Sequence, residues 1–271
     1  MKRIKRLSYP YNVWMGLLII APLLLVVYFG FTDGFGNITL NNFAKIFEAN
    51  TLKTLYNSVY IALISTIICL ILGYPMAYII SRTSARYRTV AMMLIMVPMW
   101  MNFLLRTYAW VTILSPSGVL NSILAIFGLG PVDIMYSQSA IILGMVYNFL
   151  PFMILPIYTA LEKMDYSLVE AAHDLGANKR QALFKVIVPM SLPGVFSGIS
   201  MVFIPAISTF EITTLLGGGK VNMIGNVIEQ QFINTGNWNY GSALALMLMV
   251  FILISILLDS ESVESGGMNA K

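Results

Sequence analysis

The chain has 271 residues, 58% of them hydrophobic and only 10% charged, against roughly 25% charged in an ordinary soluble domain. That balance excludes a free-standing soluble domain and demands solvation by lipid, so the net charge of +4 reads as membrane topology and not as nucleic-acid binding. A single cysteine, Cys69, and a single histidine, His173, exclude an internal disulfide and a Cys/His metal cluster.

A helix needs about 20 apolar residues to cross a bilayer core of about 30 Å. Six runs meet that length, at 12–31, 57–80, 89–111, 138–161, 190–210 and 241–258. The first follows Lys2, Arg3, Lys5 and Arg6. It is longer than a signal-peptide core of about 7–15 residues and no small-residue cleavage site follows it, so it reads as a retained span. Pro75, Pro98, Pro151, Pro156 and Pro205 fall within the runs, where a missing N–H kinks a helix. Such kinks serve either alternating access or static packing.

Taken with the amino terminus inside, the inner segments hold Lys2, Arg3, Lys5, Arg6, Arg82, Arg86, Arg88, Lys163, Lys179, Arg180, Lys185 and Lys271. The outer ones hold only Lys45, Lys53 and Lys220. Short cytoplasmic loops carry the excess of basic residues, so both termini are predicted to face the cytoplasm. The whole chain, 1–271, reads as one all-α membrane domain. The outer stretches 32–56, 112–137 and 211–240 include apolar pieces at 119–127 and 224–233, which either lie on the outer surface or dip into the mouth of a pathway.

The inner loop 162–189 is longer than a connection requires. Ser167 with Glu170 has the spacing of a capping box, and Gly176 suits the left-handed residue that ends a helix. Asn178 with Gln181 repeats the box ahead of Leu183, Phe184, Val186 and Ile187. The expectation is helix, glycine turn, then a second helix ending before Pro189.

Glu170-Ala171-Ala172, three residues, Gly176, nine residues, then Val186-x-Val188-Pro189 resembles the EAA loop of ATP-binding-cassette (ABC) importer permeases, EAA-x3-G-x9-I-x-L-P, with valine at two positions. The resemblance implies the type I importer permease fold, with six transmembrane helices and a cytoplasmic coupling helix. It places the ATPase contacts on Glu170, Ala171, Ala172, Gly176 and Pro189. Further segments are similar to the spermidine/putrescine branch: Thr39-Leu40-Asn41-Asn42-Phe43, Gly73-Tyr74-Pro75, Val97-Pro98-x-Trp100-x-Asn102, Leu150-Pro151-Phe152-Met153 and Gly217-Gly218-Gly219-Lys220. The chain departs from the family after the last span. Its tail, beginning Asp259-Ser260-Glu261, is acidic where the family is usually basic, which leaves open a divergent or a truncated end.

The family implies a multi-pass subunit of the bacterial inner membrane, with two copies of an ABC ATPase, a second homologous permease and an extracellular or periplasmic solute-binding protein as partners. ATP and Mg belong to the ATPase. This chain needs no cofactor of its own, because Gly217 to Lys220 is followed by Val221 and lacks a phosphate-binding spacing. The solute is expected to be a polyamine, with another small solute as the alternative. Trp100, Tyr108, Phe210 and Glu211 are the candidate pathway residues, since a carboxylate and aromatic faces attract ammonium groups. The competing roles are an interfacial aromatic belt for Tyr108 and a solvated loop edge for Glu211. Arg106, inside the third span, either pairs with an acid or snorkels to the headgroups. No G-x-S-x-G or H-E-x-x-H site supports a membrane protease, so an enzyme is not expected. A passive channel remains the rival and would need no ATPase-docking loop.

Overall fold

The computed structural model describes residues 9–268, and the side chains of residue 11 and residues 13–257. Lys2, Arg3, Lys5, Arg6 and Lys271, which carry part of the orientation argument, lie outside the described residues. Among those described, backbone pairing beyond helices and turns is confined to one antiparallel bridge, Thr32 with Ile38.

Helix α1 runs in three pieces, Tyr9–Met15, a π turn Gly16–Ile20, and Ala21–Gly30. The π turn comes just before Pro22, and the Ala21 N–H bonds back to the Gly16 carbonyl. A proline ring crowds the carbonyl four residues behind it, and a widened turn relieves that contact. Helix α2 is Ala49–Arg82, about 50 Å at 1.5 Å per residue, longer than a bilayer core. Then come α3 (Ala85–Met96), α4 (Phe103–Leu114), α5 (Val119–Ile126), α6 (Gln138–Lys163) and α7 (Ser167–Asp174). Helix α8 comprises Lys179–Ala182, a π turn Leu183–Ile187 and Val188–Ser208. The chain closes with α9 (Glu211–Gly217), α10 (Ile224–Ile233) and α11 (Trp238–Met268).

Among the described residues, six stretches are long and apolar enough to cross a membrane: Val13–Gly30, Ala49–Arg82, Phe103–Ile126, Gln138–Lys163, Lys179–Ser208 and Trp238–Leu257. The third differs from the sequence expectation. The run 89–111 is interrupted by a 3-10 turn, Val97–Trp100, after which α4 starts afresh with Asn102 as its cap. Asn102 Oδ1 accepts from the N–H groups of Leu104 and Leu105 at 2.9 and 3.3 Å. Pro98 and a capping asparagine four residues on override a continuous apolar pattern.

The core is built on α6, which packs against both α2 and α8, while α8 also meets α2. In its most apolar window 56% of the residues are buried, against 6% in α1. Small residues allow the close approach. A Cβ on Gly194 would lie 2.6 Å from Ala160 Cβ and 2.7 Å from the Pro156 carbonyl, and one on Gly198 would lie 2.8 Å from Met153 Sδ. Lipid supplies no hydrophobic drive between helices, so such backbone proximity carries much of the packing. Cys69 is fully buried between α2 and α6, a packing residue.

Side-chain amides tie down the ends opposite the loop 162–189. Asn42 Nδ2 donates to the Gly30 and Thr32 carbonyls at 3.2 and 2.8 Å, and Asn239 Nδ2 to Phe29 and Thr32 at 3.1 and 2.7 Å. These bonds satisfy carbonyls left free at the end of α1. Of the two apolar pieces in the outer stretches, α10 packs into the bundle against α2, α8 and α11, with Ile224 and Gly225 buried. The Ile224 N–H donates to Ser58 Oγ at 2.7 Å.

Candidate functional site

The loop between α6 and α8 forms a short helix ended by a glycine turn, as the sequence suggests, but it starts differently. Glu170 and Ser167 make no capping box, because Ser167 is already helical and its helix has no side-chain cap of that kind. Asp165 serves instead, its Oδ1 accepting the Ser167 N–H at 3.0 Å. That bond holds the Asp165 carboxyl below the usual carboxylate range. At the other end, the Ala177 N–H reaches the Ala172 carbonyl and the Gly176 N–H reaches His173, both at 2.9 Å. This paired arrangement requires a left-handed residue, and Gly176 has φ +84°.

The second capping box forms as expected, Asn178 Oδ1 accepting from the Gln181 N–H and Gln181 Oε1 from the Asn178 N–H, both at 2.9 Å. The helix it opens does not stop before Pro189. It runs on into the fifth span as α8, with Val188 N–H bonding to the Leu183 carbonyl across a π turn, the same accommodation of a following proline as in α1.

Glu170, Ala171, Gly176 and Pro189 are exposed, and Ala172 is half-buried. Val169 is the one buried residue of α7. Two apolar side chains add to this surface without any signal in the motif: Leu175 is 89% exposed and Phe184 68%. The loop thus presents small residues, the carboxylates of Glu170 and Asp174, and the apolar side chains of Leu168, Leu175 and Phe184 to the outside of the bundle. Beneath it, Arg88 Nη1 pairs with Glu162 Oε1 at 3.1 Å, and the Arg82 guanidinium lies 3.8 Å from the Tyr166 ring centroid.

The four candidate pathway residues are less closely gathered. Trp100 ends the 3-10 turn and is 82% exposed, and Tyr108 is exposed on α4. Phe210 and Glu211 mark a break in the chain between α8 and α9, where Thr209 is extended. Glu211 accepts from Thr209 Oγ1 at 3.4 Å and occupies the first turn of α9, where the helix dipole favours a negative charge. Helix α4 packs against α9, so the elements bearing Tyr108 and Glu211 are neighbours. Among the described residues no hydrogen bond or ring contact joins any two of the four.

Phe210 instead lines an apolar cavity of about 550 Å³ together with Glu229, Phe232, Leu248 and Ile252. Glu229 carried no signal in the sequence, falling in a stretch read only as apolar. Arg106 is 8% exposed, with Phe103 its nearest ring at 5.8 Å. Among the described residues no carboxylate pairs with it.

Comparison with known proteins matches this architecture. Residues 69–260 match the family described as binding-protein-dependent transport system inner membrane component. The spermidine/putrescine transport system permease protein PotB of Haemophilus influenzae is 39% identical over 251 residues, covering 90% of this chain and 88% of that protein. PotB of Escherichia coli is 39% identical, covering 82% and 85%, and the E. coli inner membrane ABC transporter permease protein YdcU is 30% identical, covering 89% and 84%. Among solved structures, a chain of a bacterial ABC transporter importing alginate superposes with a TM-score of 0.83 at 18% identity, covering 97% of this chain and 95% of that one. A chain of the MetNI methionine transporter gives 0.59 at 17%, covering 79% and 95%. The exposed EAA-spaced loop and the α2, α6, α8 core are therefore those of an importer permease, and this chain belongs to the binding-protein-dependent transport system inner membrane component family.

Proposed function

We propose that this chain is one of two homologous permeases in an ATP-driven importer of polyamines. The observation that carries the reading is α7: a short exposed helix with a left-handed glycine end, at the basic-rich end of the bundle, on the residues of the EAA pattern. Glu170, Ala171, Ala172, Gly176 and Pro189 form the face that docks on an ATPase, two copies of which bind ATP and Mg and supply the energy. Small alanines let the helix lie close in a groove, and Leu175 and Phe184 add apolar contact area.

A soluble binding protein delivers the solute to the opposite end, and both termini face the cytoplasm. Polyamine as solute rests on the 39% identity with permeases named for spermidine and putrescine. Trp100, Tyr108, Phe210 and Glu211 supply the aromatic faces and the carboxylate that cations favour. Proteoliposomes holding the complete complex, energised with internal ATP, provide the test. Uptake of labelled spermidine or putrescine that needs both ATP and the binding protein is the expected result. Uptake that persists without ATP would instead identify a passive pore.

A further inference from the structure

We infer that Arg82, at the end of α2, and Arg88, in the first turn of α3, are positioning residues that lock the start of the docking loop and the end of α6 to these two helices, so that a displacement of α7 is carried into them. This rests on the docking reading above and adds to it a route for the motion. The chain itself connects the loop only to α6 and α8. Contact with α2 and α3 has to be made by side chains.

Among the described residues Arg82 makes such a contact with the residue before α7, and Arg88 braces the end of α6 from which the loop departs. Arg82, the last residue of α2, places its guanidinium 3.8 Å from the Tyr166 ring centroid and donates to the Tyr166 hydroxyl. Tyr166 immediately precedes α7, and its carbonyl accepts the N–H groups of Val169 and Glu170 at 2.9 and 3.2 Å. The ring held by Arg82 therefore belongs to the residue from which α7 hangs. Arg88, in α3, donates through Nη1 to Glu162 Oε1 at 3.1 Å, and through Nη2 to the Ser81 carbonyl at 3.0 Å. Tyr158 donates to the same Glu162 oxygen at 2.7 Å. One guanidinium thus joins the end of α2, the start of α3 and the end of α6. The residues surround a polar hollow of about 230 Å³.

These contacts are not needed to hold the bundle together. Helices α2 and α6 already share an extensive apolar interface, and a partly exposed ion pair adds little stability. Their effect is on orientation. With Val169 its single buried residue, α7 has few other constraints on its angle to α2 and α3. A planar guanidinium stacked on a ring fixes that angle better than a flexible point charge does.

The test uses the complete transporter in a Cys69→Ala background, with spin labels on cysteines replacing Tyr87 in α3 and Val250 in α11. Pulsed EPR compares the label distance in nucleotide-free and vanadate-trapped complexes, and ATPase retention and ATP hydrolysis are recorded alongside. The distance shifts on trapping in the otherwise unaltered complex. In an Arg82→Ala, Arg88→Ala variant the shift is lost although the ATPase stays bound and hydrolyses ATP, and Tyr166→Phe, which keeps the ring, retains the shift. The inference is overturned if the double variant shifts normally, if it releases the ATPase, or if the unaltered complex shows no shift. Failure of the docking reading is separate: it appears as an ATPase that stays bound when Glu170 and Gly176 themselves are altered.

Discussion

Two residues of the loop make claims specific enough to measure. Gly176 has φ +84° and open space where a Cβ would go, so a substitution there meets backbone strain and no clash. Gly176→Ala should cost about 1 kcal/mol, seen as roughly fivefold faster amide exchange over residues 168–174, and Gly176→Asn should cost less because asparagine tolerates left-handed geometry. Equal exchange in wild type and Gly176→Ala would mean the turn is not held as described. Asp165 is a cap whose folded-state pKa is depressed by the Ser167 N–H. A depressed carboxyl contributes fully above its unfolded value of about 3.9 and loses that contribution as pH falls through the lower folded value. Protection factors of the 167–170 amides should therefore stay constant from pH 8 down to about 5. Asp165→Ala should show reduced protection already at pH 7.

The α6–α8 contact is the strongest element-scale claim, because two glycines of α8 touch α6 where any side chain would collide. Gly194→Leu should destabilise the detergent-solubilised protein by about 1–3 kcal/mol, the usual cost of overpacking. Gly16→Ala, in the π turn of α1 with nothing within 4 Å of the new Cβ, is the control and should leave the melting temperature unchanged or raised. Equal melting of both variants would place the close approach elsewhere. Composition and apolar run length made most spans legible, since every spanning backbone must be helical. The third span was not read correctly for a local reason: apolarity is continuous through 89–111, whereas helicity is decided by Pro98 and by the Asn102 cap. The extension of α8 through Pro189 was missed because a proline reads as a stop until a π turn is seen to make room for it.

Across the whole molecule, one candidate surface is contiguous in the sequence and the other is scattered along it. The EAA spacing is local, so Glu170, Ala171 and Ala172 could be read together as one short helix, with Gly176 as the turn that ends it, before its geometry was known. The contacts beneath it join residues 74 and 84 positions apart, and a single sequence holds no signal of such pairing. The candidate pathway residues suffer the same limit. Trp100, Tyr108 and Glu211 are candidates by chemistry alone, and among the described residues no hydrogen bond or ring contact joins them.

The most direct test of the account is retention of the ATPase on membranes, comparing the intact complex with a Glu170→Arg, Gly176→Asp double variant whose insertion is checked independently. The account predicts that the variant releases the ATPase and abolishes solute uptake together. An ATPase that stays bound, with uptake undiminished, would contradict the assignment of α7 as the coupling element.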